Sequence, residues 1–395
     1  MGWRVPLYSE LEHDDLGPSA DPKCGIGKTV SRALKLQNMD PEEHFPSDYR
    51  TARTAFLKAC QAAGLSTLAR VHPKAAGRDG KPLFLDTATV GERKAQTALL
   101  LISGTHGVEG YFGSAVQTGL LRQGLSAPKY AKIVLLHALN PYGFSWDRRV
   151  NEDNADVNRN FVDHSAPPTN TAYAALADFI APKDISRDAM KAANAKLRAY
   201  SEAHGAFALQ EAISKGQYAY PDGLYFGGRR KSWSAEMVDD VLREELASVQ
   251  RLVVIDFHTG LGAHGEGEMI SEDLPGSAPY LRAKKMWGSR VKSSQAGESV
   301  SAPLTGTIDK AVAIRMANAE LTFAALEVGT LPTREVFNAL RKDNWLHQIA
   351  GAADEAAEAI RLEIRGAFFP DTVEWKRKVW AAAAESVTSA LAALD

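Results

Sequence analysis

Cysteine is scarce in this chain: there are two, Cys24 and Cys60, among 395 residues. Two thiols exclude a disulfide-stapled scaffold and leave any metal site dependent on imidazole and carboxylate donors. Long apolar runs are missing as well, since no stretch approaches the ~20 residues that a bilayer-spanning helix needs. The N-terminal MGWRVPLYSELEHDD has neither the basic start nor the apolar run of a secretory signal. Neither sign of charge dominates, with 46 basic against 48 acidic residues and a net charge of −2. Bulk electrostatics therefore offer no attraction for nucleic acid or for an anionic membrane. There is no G-x-S-x-G elbow, no glycine-rich phosphate loop and no basic-aromatic stripe, which argues against serine hydrolases, nucleotide enzymes and nucleic-acid binders. The expectation is a cytoplasmic protein acting on a small molecule or peptide, with no nucleic-acid or membrane partner.

What is present is ordinary for a globular protein, 45% hydrophobic and 24% charged residues. Residues 1–45 are rich in proline, glycine and acids, with little periodicity beyond VSRALKLQ, and read as an N-terminal extension. Residues 46–395 read as one catalytic domain. The stretch 47–64 begins with a capping Ser, carries apolar residues at helical spacing and ends in Gly, so it predicts the first helix. Four apolar runs then read as buried strands: 97–107, 132–141, 251–260 and 321–330. Helical stretches lie between them at 109–122, 170–181, 186–214, 234–247 and 278–291, and two or three Ala-rich helices close the chain. This alternation predicts an α/β fold with a mainly parallel mixed sheet and helices on both faces. Such sheets bind ligands beyond the C-terminal ends of their strands.

Chemistry-bearing residues cluster at those ends. SGTHGVEG places His106 and Glu109 three positions apart where a strand gives way to a helix, and both side-chain types are good zinc ligands. Alone, the pair is a weak signal. In VIDFHTG, Asp256 and His258 share one face of a strand, with His258 nearer the edge as the better third ligand and Asp256 placed to hold its imidazole. His137 lies inside an apolar run and reads as a core histidine. Glu327 ends the fourth run; a carboxylate there is either a general base near a metal or a salt bridge or helix cap at the sheet edge. The segment 140–161 is crowded with amides and guanidiniums, of which Arg148, Arg149, Asn158 and Arg159 suit a carboxylate clamp or an oxyanion. Tyr218, Tyr225 and Arg229, in a glycine-flanked segment, suit a substrate-lining lid, with a packed loop as the alternative.

Taken in order, these motifs resemble the zinc carboxypeptidase superfamily, which includes succinylglutamate desuccinylase and aspartoacylase, and most of all a bacterial branch described only as a domain of unknown function. The motifs are His106-Gly-Val-Glu109, Asn140-Pro-Tyr-Gly143, Asp156-Val-Asn158-Arg159, His258 and Glu327. The resemblance spans about residues 45 to 390. It implies one zinc ion per chain held by His106, Glu109 and His258, with Glu327 as general base and an arginine of the Arg148-Arg149 pair, Arg149 by preference, polarising the carbonyl. It further implies Asn158 and Arg159 on the free carboxylate of a substrate. No tyrosine matches the one that digestive relatives present from a loop before the catalytic Glu; Tyr280 lies in a helical context. The resulting expectation is a zinc hydrolase that cleaves an amide bond as a carboxypeptidase or N-acyl amino acid deacylase. The alternatives are an ester or lactone hydrolase at the same site and a non-catalytic carboxylate-binding module.

Overall fold

In a computed structural model of the protein, the residues described are 40–349 and 354–394. Residues 1–39 of the expected extension, with Cys24 among them, lie outside the described residues. Pro41–His44 form a short 3-10 turn, and the His44 ring lies 4.9 Å from that of Trp380.

Among the described residues, one sheet holds eight strands: β1 (Thr67–Ala76), β2 (Pro82–Gly91), β3 (Thr97–Ile102), β4 (Ala131–His137), β5 (Arg251–His264), β6 (Gly267–Ser271), β7 (Val291–Ser293) and β8 (Glu320–Gly329). Their spatial order is β1-β2-β4-β3-β5-β8-β6-β7. The helices are α1 (Tyr49–Ala62), α2 (Gly110–Arg122), α3 (Pro141–Trp146), α4 (Thr171–Ile180), α5 (Arg187–His204), α6 (Ala206–Ser214), α7 (Trp233–Glu245), α8 (Ala278–Trp287), α9 (Ile308–Arg315), α10 (Thr333–Gln348), α11 (Asp354–Phe368) and α12 (Val373–Leu394).

The four apolar runs become β4, β3, β5 and β8, adjacent and mutually parallel at the centre of the sheet. Alternation along them feeds two cores. Leu99, Leu101, Ile133, Leu135, Val253 and Ile255 pack under α1, α2, α8 and α12. Leu100, Ile102, Val134, Leu136, Leu252 and Val254 pack under α7 and α9. Burial on both faces is why these strands read as continuous apolar stretches instead of alternating ones. A third cluster, drawn from α4, α5, α6, α10 and α11, includes Val108 in the turn after β3.

The sheet is larger than the four runs suggest. β1 and β2 form an antiparallel pair flanking β4, while β6 runs antiparallel to β8 and carries β7 at the far edge. The stretch 186–214 is two helices, because Gly205 adopts φ 93° between α5 and α6; only glycine takes that conformation without strain. Three helices close the chain, and Phe369-Pro370 marks the break between α11 and α12. No described helix is long and apolar enough to cross a membrane.

Candidate active site

Strand ends assemble the site. β3 stops at Ile102, and the chain turns through Thr105 and His106 into a 3-10 turn, Gly107–Glu109, that runs straight into α2. The turn is pinned to the neighbouring loop, with Gly107 N–H donating to the Arg149 carbonyl (3.2 Å) and Val108 N–H to that of Arg148 (2.9 Å). Gly107 is obligatory for this approach, since a Cβ there would fall 2.0 Å from the Gly143 carbonyl carbon. Glu109 thereby reaches the start of α2, where helix polarity favours a carboxylate. His258 on β5 and Glu327 on β8 are register partners, side by side on the same face as Asp256.

Three donors converge. His106 Nδ1 lies 2.9 Å from Glu109 Oε1 and 3.2 Å from His258 Nδ1, and His258 Nδ1 is 3.1 Å from Glu109 Oε2. These three residues, all buried, form the cluster of potential metal ligands among the described residues. A tetrahedral zinc ion with bonds of about 2.0–2.1 Å sets its ligand atoms about 3.3 Å apart, so the spacing fits such an ion. Each imidazole is backed by a carboxylate at its far nitrogen: His258 Nε2 is 2.8 Å from Asp256 Oδ2, and His106 Nε2 is 3.1 Å from Asp156 Oδ1. A carboxylate in that place keeps the proton on Nε2 and leaves the Nδ1 lone pair for a cation. Thr105 Oγ1 donates to both oxygens of Asp256, at 2.8 and 3.0 Å.

The electrostatics follow from this crowding. Burial alone would raise the Glu109 carboxyl, but His106 and His258 outweigh it and hold it well below the carboxylate range. Burial likewise opposes the charge of His258, yet Asp256 and Glu109 hold its pKa well above the ordinary histidine value. Asp156 is pulled well down by Arg149, His106 and Arg159 against the effect of its own burial. Glu327 goes the other way: burial, with Glu109 adding to it, pushes its carboxyl up to about 8. Leu261 N–H donates to Glu327 Oε1 at 2.8 Å, which leaves Oε2 without a partner among the described residues.

Arg149 sits against the cluster. Its Nε donates to Asp156 Oδ2 (2.9 Å) and its Nη1 to Glu109 Oε1 (3.1 Å), while Nη2 approaches His106 Nε2 to 2.8 Å. The His106 ring cannot serve both neighbours at Nε2: a proton there goes to Asp156, whereas a bare Nε2 accepts from Arg149. Only the first state frees Nδ1. Arg159 is buried, with Nε and Nη2 donating to the Ser214 carbonyl and Nη1 to that of Asn158; two guanidinium N–H groups are left over. Asn158 Oδ1 accepts from Ile308 N–H (2.9 Å), so its amide nitrogen is also left over. His106, Arg149, Asn158, Arg159, Tyr225, Asp256, His258 and Glu327 all line one cavity of about 120 Å³.

Three expected site residues do not reach that cavity. Arg148 turns the opposite way from Arg149, into a buried ion pair with Asp343 (3.1 Å) and a hydrogen bond to Asn154 Oδ1 (3.1 Å). Tyr218 donates its hydroxyl to the Arg159 carbonyl (2.7 Å) and so braces the Arg159 backbone. Arg229 is exposed. Tyr225 does line the cavity, its ring 5.3 and 5.7 Å from the Arg149 and Arg159 guanidiniums. His137 is a core residue, stacked on Phe56 at 4.3 Å and 2.8 Å from Ser114 Oγ. Tyr280, on α8, bonds Glu298 instead of facing the cavity. Asp156 is visible in the sequence as a motif position two residues before Asn158, whereas its contact with His106 spans 50 residues.

Among solved structures, the chain is similar to bovine thrombin-activatable fibrinolysis inhibitor in complex with tick carboxypeptidase inhibitor, at 9% identity over 89% of this chain and 98% of that one, with a TM-score of 0.48. It is similar to carboxypeptidase A from Helicoverpa armigera at 13% identity, covering 90% and 78%, TM-score 0.40. An aspartoacylase family protein from Mesorhizobium loti shares 16% identity over 72% and 67%, TM-score 0.36. No curated protein matches the chain. The family described as "Protein of unknown function (DUF2817)" matches residues 45–382, and the chain belongs to it.

Proposed function

We propose that this protein is a zinc hydrolase that cleaves an amide bond next to a free carboxylate, as a carboxypeptidase or as a deacylase of N-acyl amino acids. The observation that carries the reading is the meeting of two imidazole Nδ1 atoms 3.2 Å apart with a carboxylate between them, each ring backed by a second carboxylate. Two nitrogens and one carboxylate make a ligand set suited to a catalytic zinc, with a position open for substrate or water. Bound there, the cation supplies Lewis acidity that polarises a substrate carbonyl and acidifies water.

The remaining steps belong to the chain's own side chains. Asn158 Nδ2 and the two remaining N–H groups of Arg159 hold the substrate carboxylate, which places the neighbouring amide against the ligand cluster. Glu327 Oε2 takes a proton from the attacking water and passes it to the departing amine. Arg149 keeps N–H groups available at the cavity wall for the charge that develops on the carbonyl oxygen. Tyr225, packed against both guanidiniums, keeps them from swinging away. A cytoplasmic setting goes with this reading, supported by a chain of two cysteines, of which Cys60 is buried and free.

The test is zinc-loaded protein assayed on a panel of N-acyl dipeptides and N-acyl amino acids. Release of amine, its loss on chelation, and a Glu327→Gln variant that keeps one zinc but turns over ~10²–10⁴-fold more slowly are expected. Undiminished turnover by metal-free protein, or no cleavage across the panel, refutes the reading.

A further inference from the structure

The cavity does not end at the ligand cluster. β6 runs antiparallel to β8 with Glu268 opposite Glu327 and Ile270 opposite Ala325. Side chains alternate along a strand, so the next position on that face is Glu272, level with Phe323 and four residues beyond Glu327. Four residues span roughly 13 Å. Ile270, Glu272, Phe323 and Ala325 line the same cavity as His258 and Glu327. Apolar side chains therefore wall the passage, and a carboxylate lies at its far end.

Among the described residues that carboxylate makes no ion pair, and Lys310 is the cation whose charge reaches it. Glu272 accepts from the neutral amide of Gln295 at 3.1 Å, and the Ser294 hydroxyl lies beside it. Asp309 also lines the cavity and adds a second negative charge, offset by the half-exposed ammonium of Lys310, 3.3 Å away. Thr307, 2% exposed and lining the same cavity, holds a hydroxyl that finds no hydrogen-bond partner among the described residues. A carboxylate held only by neutral donors and a buried hydroxyl without a partner, set along an apolar passage, are costly unless a ligand supplies a cation and a donor.

Resting on the proposed hydrolase reading for the way the substrate lies, we infer that the cavity takes a substrate whose carboxylate-bearing residue has a basic side chain of lysine or arginine length, with Glu272 as its counter-ion. A carboxylate on Asn158 and Arg159 leaves the side chain to run along Ala325, Ile270 and Phe323, and four methylenes carry an ammonium roughly 6 Å from its Cα. Apolar walls suit such a stem and a carboxylate suits its head. Thr307 accepts a further N–H. An acidic side chain in that place would meet Glu272 and Asp309 with like charge, and a leucine would leave Glu272 without a counter-ion and Thr307 without a partner.

The experiment pairs binding with turnover on the zinc-loaded full chain. Calorimetry measures free L-lysine, L-arginine, L-leucine and L-glutamate; the same four residues are then tested for release from benzoylglycyl peptides. Lysine and arginine are expected to bind about 30-fold or more tighter than leucine, the usual consequence of satisfying a desolvated charge, with Glu272→Gln removing the preference and Asp309→Asn reducing it. The wild-type order of affinities decides even if a variant fails to fold. Leucine or glutamate binding as tightly as lysine overturns the inference. Cleavage without a basic preference also overturns it and leaves the hydrolase reading standing; basic selectivity in binding with no cleavage does the reverse.

Discussion

Replacing Asp256 by asparagine tests whether the ligand cluster works as a cation site. Asp256 is fully buried, and its carboxylate takes His258 Nε2 at 2.8 Å and Thr105 Oγ1 at 2.8 and 3.0 Å. As an acceptor-only group it obliges His258 to carry its proton on Nε2, which leaves Nδ1 bare toward His106 and Glu109. An asparagine has two orientations. With its oxygen toward His258 the tautomer survives, but a charge-assisted hydrogen bond becomes a neutral one, a loss of about 1–2 kcal/mol. With its nitrogen toward His258 the proton is driven to Nδ1, where it competes directly with a cation. Either way the expected loss is about 10–100-fold in zinc affinity. Competition against a chromophoric chelator at neutral pH measures it, with melting curves of the zinc-free proteins to show that the fold is intact. An Asp256→Asn protein that is folded and binds zinc within about threefold of wild type would falsify the assignment of Nδ1 as the donor.

Other outcomes follow from the same geometry. Without a cation, folded Glu327 keeps its proton up to about pH 8 against an ordinary value of 4.5, and His258 is also held protonated above its ordinary 6.5. Both groups contribute stability that is complete below their unfolded values and lost as pH rises through the folded ones. The melting temperature of zinc-free protein should thus fall from about pH 5 toward about pH 9, and Glu327→Gln should flatten that fall; a flat wild-type profile contradicts the burial argument. Zinc binding near pH 7 should expel protons, counted by calorimetry in buffers of different ionisation enthalpy, with Glu327→Gln expelling about one fewer. Arg148→Ala takes the guanidinium from buried Asp343 and leaves it facing His347 (3.5 Å), whose own burial lowers its pKa to about 4, so denaturant unfolding should show a loss of about 3–5 kcal/mol while zinc affinity barely changes. Gly107→Ala forces the turn after β3 away from Gly143 and should weaken zinc binding by about tenfold or more in the chelator assay, unless the loop carrying Gly143 moves with it.

Much of the scaffold is legible in the sequence because the central strands are buried on both faces. β3, β4, β5 and β8 read as unbroken apolar runs for that reason, and polar residues at their ends mark the edge where sheets of this kind take ligands. β1, with most of its residues exposed, has no such signature, and β7 is three residues long; their pairing partners, not their composition, make them strands. His106 and Glu109, one turn apart, and Asp256 and His258, two apart on a strand, are local patterns and could be picked out by spacing.

What spacing cannot supply is direction and company across the chain. Arg148 and Arg149 are neighbours of identical chemistry, yet one turns to Asp343, 195 residues away, and the other to Glu109 and Asp156. Asp156 meets His106 across 50 residues, and Glu272 shares a cavity with Glu327 because of the antiparallel register of β6 on β8. The sequence by itself determined which residues could bind a cation and which strands would bring them to one edge. Tertiary structure decided which carboxylate backs which imidazole, which arginine faces the cavity and how deep that cavity runs, because each depends on contacts between segments whose separation along the chain carries no periodic signal.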